Sequence, residues 1–224
     1  MTIGSQNGTV AGKTYLTSGE LDLRGTEVLH FGVSQDVRIG VGNGTGSQGI
    51  LRLADAAAHF GQNLVIGDGR AGSGGLVELT DSVIHVDGDV LLNESGRVEV
   101  VVSAASSGLF LSGDSDFSIS LPVSEMANYS ITFSGLGEAP GLYYGLAWGG
   151  DREDLLNALI EDHKITWTNL TTYDAIGVFY DATTDATYLG VAVIPEPGVE
   201  AFLFSMLGAA AILRYRKRAL FSRG

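Results

Sequence analysis

The sequence predicts a mainly β protein: a right-handed parallel β-helix, followed by a small α+β cap and a C-terminal transmembrane helix. Three observations lead to this prediction: an internal repeat of about 27 residues, short runs of alternating apolar residues between glycine-rich turns, and an apolar segment before a basic C-terminus. Glycine contributes 32 of the 224 residues and cysteine none. The lack of cysteine excludes disulfides, thiolate metal sites and cysteine nucleophiles.

The repeat shows as copies of one pattern at a nearly constant offset. The copies lie 26 or 27 positions apart: 37–40 with 64–67, 46–53 with 72–79, and His59 with His85. A weaker copy precedes them from Gly19, and a degraded copy follows from Val90. Recurrence of turn residues together with apolar residues indicates one structural unit that is used several times.

Each unit contains three short alternating runs, for example Leu64–Ile66, Leu76–Leu79 and Val83–Val86. Such runs between Gly, Ser, Asn and Asp turns are typical of half-buried strands. Three strands per unit predict a parallel β-helix, because one coil cannot bury its apolar side alone and stacked coils share a core. A β-sandwich with similar spacing is the alternative. Over about residues 15–102 the repeats also resemble the passenger repeats of autotransporter-like bacterial surface proteins.

The loss of periodicity divides the chain into three parts. Residues 1–126 are predicted to hold about four coils, residues 127–194 the cap, and residues 195–218 the membrane-associated tail. In the cap, an acid-rich turn followed by apolar residues at 3–4 spacing predicts a helix at about 151–162. Strands are expected there at Tyr129–Phe133, Leu142–Trp148, Ile165–Trp167, Ala175–Tyr180 and Tyr188–Val193.

Charge is distributed unevenly along the chain. The net charge is −13, yet five of the 13 basic residues follow Leu213, and the chain before Pro195 has eight basic and 24 acidic residues. An acidic body is unsuited to phosphate recognition, so nucleic acid is excluded as a partner. The basic cluster at the C-terminus indicates an addressing element instead.

The tail contains three features in order. Pro195, Glu196 and Pro197 come first. The apolar segment that follows is predicted to enter the membrane through Val199, Ala201, Phe202, Leu203, Phe204, Met206, Leu207, Ile212 and Leu213. A basic cluster comes last, with Arg214, Arg216, Lys217 and Arg218 as the cytoplasmic charges. As a helix the thirteen uncharged residues 201–213 reach about 20 Å, so Val199 and snorkelling basic side chains are needed to approach the ~30 Å hydrocarbon core.

This ordered combination resembles the PEP-CTERM sorting signal of Gram-negative bacteria, although the apolar run is short and Glu200 lies near its outer end. The resemblance implies that Pro195–Pro197 form the sorting motif and that the tail enters the inner membrane transiently. It implies an exosortase, a membrane-embedded transpeptidase-like enzyme, as partner, and delivery to the cell surface or the extracellular matrix. A plain tail anchor is the alternative.

The expected function is that of a non-enzymatic structural or adhesive protein, with exopolysaccharide or neighbouring surface proteins as further partners. The candidate acid/base pairs of a carbohydrate-active β-helix enzyme (a polysaccharide lyase or hydrolase) are Asp87 with Asp89, Asp114 with Asp116, and Asp181 with Asp185. Their turn contexts favour a structural role. A pair of carboxylates on one face of the β-helix, facing a groove with exposed aromatics, would favour the enzyme, and a featureless polar face would favour the scaffold.

The histidines do not have the spacing of metal ligands. His30, His59 and His85 fall at related places in successive units and are expected to form a row along one face, whereas His163 lies apart. No metal site and no cofactor are expected. The acidic turns leave a calcium-dependent adhesin as a further alternative.

Residues 1–5 have neither the charged nor the apolar region of an export signal. Because a sorted protein must be exported, a signal peptide and further coils are expected upstream of residue 1.

Overall fold

The computed structural model describes residues 8–10, 13–16, 19–24, 29–31, 36–41, 48–67, 74–120, 128–134, 141–169 and 176–193, with the backbone alone up to residue 31. Within these ranges the protein is mainly β. The first strands are β1 (Gly8–Val10), β2 (Lys13–Leu16), β3 (Gly19–Arg24), β4 (Leu29–Phe31), β5 (Asp36–Ile39), β6 (Gln48–Ala54), β7 (Ala57–Phe60), β8 (Leu64–Ile66), β9 (Gly74–Thr80), β10 (Val83–Val86), β11 (Val90–Leu92) and β12 (Gly96–Val102). They are followed by β13 (Gly108–Leu111), β14 (Phe117–Ile119), β15 (Tyr129–Phe133), β16 (Gly141–Gly149), the helix α1 (Glu153–Glu161), β17 (Ile165–Asn169), β18 (Ile176–Asp181) and β19 (Ala186–Val193).

The strands form three sheets, and from β2 to β16 the chain visits the sheets in turn. The first sheet has the order β1-β2-β5-β8-β11-β14, the second β17-β15-β12-β9-β6-β3, and the third β18-β19-β16-β13-β10-β7-β4. Among the described strands, antiparallel pairing occurs between β1 and β2, between β16 and β19, and between β18 and β19. The other pairs are parallel, which confirms the predicted β-rich architecture at the level of its sheets.

Strand register follows the repeat predicted from the sequence. Val37 pairs with Leu64 and Leu64 with Val90, offsets of 27 and 26 residues. Leu51 pairs with Val77 in the second sheet at an offset of 26. The three runs chosen as an example unit, Leu64–Ile66, Leu76–Leu79 and Val83–Val86, are confirmed as strands of three different sheets.

All three sheets contribute to one apolar core. Burial alternates along β6, β9 and β12, so every second side chain points inward. The largest fully buried side chains include Phe60, Ile66, Leu79, Tyr129 and Phe133. Burial of each large apolar side chain stabilises the fold by about 1.5–3 kcal/mol, which the short strands could not gain singly.

Two glycines occupy equivalent corners after β5 and β8. Gly40 and Gly67 have φ values of +68° and +74°. A Cβ atom on Gly40 would lie 2.0 Å from the Gly74 oxygen, and one on Gly67 would lie 2.5 Å from the Gly96 nitrogen. In the next unit Asn93 takes the corresponding place, and its Nδ2 donates to the Gly67 carbonyl at 2.7 Å. These corners therefore have the left-handed backbone and close approach expected of the repeat's glycines.

Parallel pairing continues past residue 126, the expected end of the repeat region. β15 pairs with β12, β16 with β13, and β17 with β15. The cap strands predicted from the sequence are confirmed to within two residues at either end. The helix predicted at 151–162 is confirmed as α1, whose Leu156 is fully buried while Leu155 is 49% exposed.

No helix in the described part of the chain has the length and apolarity needed to cross a membrane. The predicted membrane segment from Val199 to Leu213, with the sorting motif before it and the basic cluster after it, lies outside the described residues.

Candidate functional site

A row of rings crosses the third sheet on the side that faces away from the core, and we call it the aromatic face. Its members are His59 (β7), His85 (β10), Phe110 (β13), Tyr144 (β16), Tyr188 (β19) and Phe179 (β18). Ring centroids lie 5.1 Å apart for His85 and Phe110, 6.3 Å for Phe110 and Tyr144, 4.9 Å for Tyr144 and Tyr188, and 5.5 Å for Tyr188 and Phe179. Five neighbouring strands, from β10 to β18, thus carry one connected set of rings, and His59 on β7 lies in register beside His85.

Strand alternation explains why these rings point outward. In β13, Leu109 and Leu111 belong to the main core, so Phe110 between them faces the opposite side. Buried Ala147, Ala186 and Tyr188 form a separate small cluster, against which the partly buried Phe110, Tyr144 and Phe179 pack. The aromatic face therefore rests on a second apolar layer outside the core.

A β-bulge in β16 places Tyr144 on the aromatic face. The register with β19 shifts between Tyr144 and Leu146, with Gly145 as the extra residue. Leu146 belongs to the core, whereas Tyr144 and Ala147 both belong to the outer cluster. A Cβ atom on Gly145 would lie 2.5 Å from Cγ2 of Ile131, so this close approach requires glycine.

The bulge is held from inside by Tyr129, which is fully buried. Its hydroxyl donates to the Gly145 carbonyl at 2.7 Å and accepts from the Leu109 backbone N–H at 3.2 Å. Burial raises the pKa of Tyr129 well above its ordinary value, so the phenol stays neutral and keeps its proton for Gly145. One buried hydroxyl thus links the strands that carry Phe110 and Tyr144.

The aromatic face carries little positive charge. The described strands of the third sheet contain neither Lys nor Arg. Burial, with a smaller contribution from neighbouring His59, lowers the pKa of His85 and favours its neutral imidazole. Burial also raises the pKa of Tyr144, which keeps that phenol neutral.

The predicted row of histidines is confirmed in the backbone register. His30 pairs with His59, His59 with His85, and His85 with Phe110. Nε2 of His59 lies 2.9 Å from Oδ2 of Asp87. His163 lies elsewhere, directly after α1 and with φ +57°.

The candidate catalytic carboxylates of the repeats make contacts between units. The backbone N–H of Asp89 donates to Oδ1 of Asn63 at 2.8 Å, and the N–H of Asp116 donates to Oδ1 of Asp89 at 2.9 Å. Asp87 contacts His59, and its carbonyl accepts from Ser112 at 2.9 Å. Asp114 lies in an exposed turn. Asp89 therefore stabilises the stacking of units through a ladder of turn residues.

The third candidate pair frames the turn between β18 and β19. Asp181 accepts from the N–H of Thr183 at 2.8 Å and from the Thr184 hydroxyl at 3.1 Å. The backbone hydrogen bond from Thr183 is the largest cause that lowers the pKa of Asp181. Asp185 accepts the hydroxyl hydrogen of Tyr180 at 2.7 Å. Both carboxylates stabilise the local turn.

Strand register places four acids along one border of the aromatic face. Asp87 follows β10, Asp151 follows β16, Asp181 ends β18 and Asp185 precedes β19. These strand ends are adjacent, since Val86 pairs with Leu111, Leu111 with Trp148, and Asp181 with Ala186. One edge of the face therefore carries four acidic residues, together with Arg152, whose backbone N–H donates to Oγ1 of Thr187 at 2.8 Å. In the part of the chain that is described, no group of three or more His, Asp or Glu side chains is arranged to hold a metal ion.

Sequence reasoning singled out the histidine row but missed the aromatic face. A signal for its next member was present, because Phe110 continues the series His59 and His85 at an offset of 25 residues. Comparison with known proteins gave no match to a family model, to a curated protein or to a solved structure.

Proposed function

We propose that this protein is an exported, non-enzymatic structural or adhesive component of the cell surface or extracellular matrix of a Gram-negative bacterium. An exosortase recognises its C-terminal signal while the tail occupies the inner membrane. The observation that carries this proposal is the order of the tail: Pro195-Glu196-Pro197, an uncharged stretch at 201–213, and a basic cluster after an acidic chain. The positive-inside rule orients such a tail with the acidic body outside the cytoplasm.

The body of the protein is, in this proposal, a right-handed parallel β-helix. Support comes from the regular visiting of three sheets and from the single core to which all three contribute. Connections between parallel strands of one sheet are nearly always right-handed. The antiparallel β16–β19–β18 end of the third sheet, together with α1, supplies the cap at 127–194 that protects the last open edges from further pairing.

The acids at the border of the aromatic face meet part of the condition stated above for an enzyme, but the contacts of the candidate acids favour a binding role over catalysis. Asp89 accepts from the Asp116 N–H, Asp181 from Thr183, and Asp185 from Tyr180. A catalytic pair needs one carboxyl with its proton ready for the leaving group and another free to act as base or nucleophile. These carboxylates are instead occupied by hydrogen bonds within the fold.

The sorting proposal is tested by expressing the full chain behind an added export signal in matched hosts with and without exosortase. Mass spectrometry of the mature C-terminus and fractionation of the envelope are the readouts. We expect cleavage near Pro195–Pro197 and release to the surface in the exosortase-positive host alone. Glu196→Ala is expected to block cleavage, whereas the matched control Glu200→Ala, outside the motif, leaves it intact. Retention of Arg214–Gly224 on the parent chain in the exosortase-positive host contradicts the proposal.

The β-helix is tested with engineered disulfides, which the absence of native cysteine makes simple to interpret. Leu91 and Ser118 are in register on adjacent parallel strands, so Leu91→Cys with Ser118→Cys is expected to form a disulfide. Leu91→Cys with Arg38→Cys, two strands apart in the same sheet, is the control that should stay reduced. The reverse outcome would favour a different stacking such as the β-sandwich.

A further inference from the structure

We propose that the aromatic face is a binding site for uncharged polysaccharide, whose sugar rings stack on Phe110, Tyr144 and Phe179. This inference deepens the proposed function. It rests on that function in one respect only: export places the aromatic face where it can meet a polysaccharide of the matrix. Neither the histidine row nor the tail motif assigns a ligand to this side of the molecule.

The chemistry of the rings fits sugars. A pyranose ring has an apolar C–H surface and a polar rim of hydroxyl groups. Phenylalanine and tyrosine present flat apolar surfaces, and tyrosine and histidine add polar edges that exchange hydrogen bonds with hydroxyls. Centroid separations of 4.9–6.3 Å connect the rings, and the partly exposed Phe110, Tyr144 and Phe179 form a line of stacking platforms across the sheet. A line of this kind suits an extended polymer.

The face is already ordered for binding. Tyr188, only 7% exposed, forms the floor with Ala147 and Ala186, and the more accessible Phe110, Tyr144 and Phe179 pack against it. Phe179 and Tyr188 are stacked with an interplanar angle of 20°. Because the rings are held by each other, little side-chain entropy remains to be lost when a ligand binds.

The charges around the face disfavour an anionic polymer. The described strands of the third sheet lack Lys and Arg, so no strand of the face offers a cation for a uronate, a sulfate or a phosphate. Arg152 at the border is engaged within the fold, since its Nη2 donates to the Gly113 carbonyl at 2.7 Å and its guanidinium carbon lies 5.2 Å from the centroid of the Trp148 ring. The border of Asp87, Asp151, Asp181 and Asp185 adds repulsion toward such anions. An anionic membrane surface is disfavoured for the same reason.

Affinity electrophoresis of the purified full chain tests the proposal. The chain is kept in a polyoxyethylene detergent, because a sugar-headed detergent would compete for the face. Gels contain hydroxyethyl cellulose or galactomannan as neutral polymers and polygalacturonate as the acidic one. We expect the neutral polymers to retard the chain independently of salt, and polygalacturonate not to do so. The double variant Phe110→Leu with Tyr144→Leu is expected to lose affinity on the order of tenfold or more, since two stacking platforms are removed.

Two variants separate ring stacking from general effects. Leu91→Ala removes an exposed apolar side chain from the first sheet and should retain full affinity. Tyr144→Phe keeps the ring and should retain most of it. Circular dichroism verifies the fold of each variant, and Phe179→Leu in β18 at the sheet edge replaces the double variant if that one is unfolded.

The proposal is overturned if neither neutral polymer retards the parent chain, if folded ring variants and parent are retarded equally, or if polygalacturonate binds best. It is also overturned if light scattering finds a parent dimer that the ring variants convert to monomers, since the face would then contact a second copy. Tail cleavage is read in a separate assay, so failure of polysaccharide binding and failure of sorting are distinguished.

Discussion

Replacing Tyr129 by phenylalanine tests how the core of the molecule positions its outer face. The substitution removes one hydroxyl and leaves the ring, which packs edge-on against Phe117 at a centroid distance of 6.0 Å. It leaves two buried backbone groups without this partner: the Gly145 carbonyl, 2.7 Å away, and the Leu109 N–H, 3.2 Å away. Relaxation can satisfy neither group from solvent, because Leu109 and Gly145 are buried.

The expected loss of stability is about 2–3 kcal/mol, since each unsatisfied buried polar group costs about 1–3 kcal/mol and removing the hydroxyl recovers part of that cost. For a chain of this size the loss corresponds to a decrease in Tm of about 4–12 °C. Urea unfolding followed by the fluorescence of Trp148 and Trp167 measures it. Tyr180→Phe is the matched control: its hydroxyl bonds exposed Asp185, and its loss should cost less than about 0.5 kcal/mol.

The same substitution has a pH signature. The pKa of Tyr129 is raised by burial in the folded state, whereas in the unfolded chain it returns to about 10. The folded chain therefore keeps a proton that the unfolded chain releases above about pH 10, and the free energy of unfolding falls as pH rises beyond that value. Tyr129→Phe should make this alkaline fall shallower. Equal stability of Tyr129→Phe and Tyr180→Phe at neutral pH, with an alkaline profile of Tyr129→Phe identical to that of the parent chain, would refute the anchoring role of Tyr129. The parent chain is the reference for the alkaline profile because the hydrogen bond to Asp185 also raises the pKa of Tyr180.

Gly67→Ala is expected to destabilise the protein by about 1–3 kcal/mol, because φ is +74° and a Cβ would meet the Gly96 nitrogen at 2.5 Å. Gly177→Ala, which has open space around the new Cβ, should shift the urea midpoint negligibly, and equal costs for the two variants would contradict the corner argument. Asp81→Asn should lower the free energy of unfolding by about 1 kcal/mol at neutral pH, since Asp81 accepts hydrogen bonds from Ser103 and from the backbone N–H groups of Ala104 and Ala105. Burial alone would raise the pKa of Asp81, yet these hydrogen bonds outweigh it and lower the pKa, so their contribution to stability is lost as pH falls below about 3.9. A loss of stability in acid that is as steep in the variant as in the parent would disprove this. Burial lowers the pKa of His85, so Tm should decrease as pH falls below about 6.5, and His85→Gln should flatten that decrease in calorimetric scans.

The stacking register could be predicted from the sequence because corners and strands repeat together. A strand shifted by one residue would turn its apolar side chains outward, so the alternation in the copies around Leu51 and Val77 excludes such a shift. The corner glycines Gly40 and Gly67 fix the same alignment independently. Local pattern and tertiary pairing agree in this region, and for that reason the strand register could be predicted from the sequence.

The aromatic face could not be predicted as a whole, because different structural features place its residues on the third sheet. Phe110 continues the repeat, but Tyr144 reaches the face only through the bulge at Gly145. Tyr188 and Phe179 belong to antiparallel strands whose pairing depends on where the chain turns after α1. The sequence of a short apolar strand such as these does not indicate which strand it pairs with. The proposed sorting motif Pro195–Pro197, by contrast, is a linear pattern that can be found in the sequence without knowledge of the fold.

The single column formed by Val37, Leu64 and Val90 has a consequence for how such a chain can change in length. A tandem duplication of residues 64–89 would insert one strand into each of the three sheets. The inserted strands would pair with neighbours of the same sequence pattern as before. One interstrand step of about 4.8 Å would be gained per inserted copy, with no side chain redesigned. Selection for a longer protein can then act only on the number of repeat units. The part of the aromatic face that follows the inserted units would keep its structure.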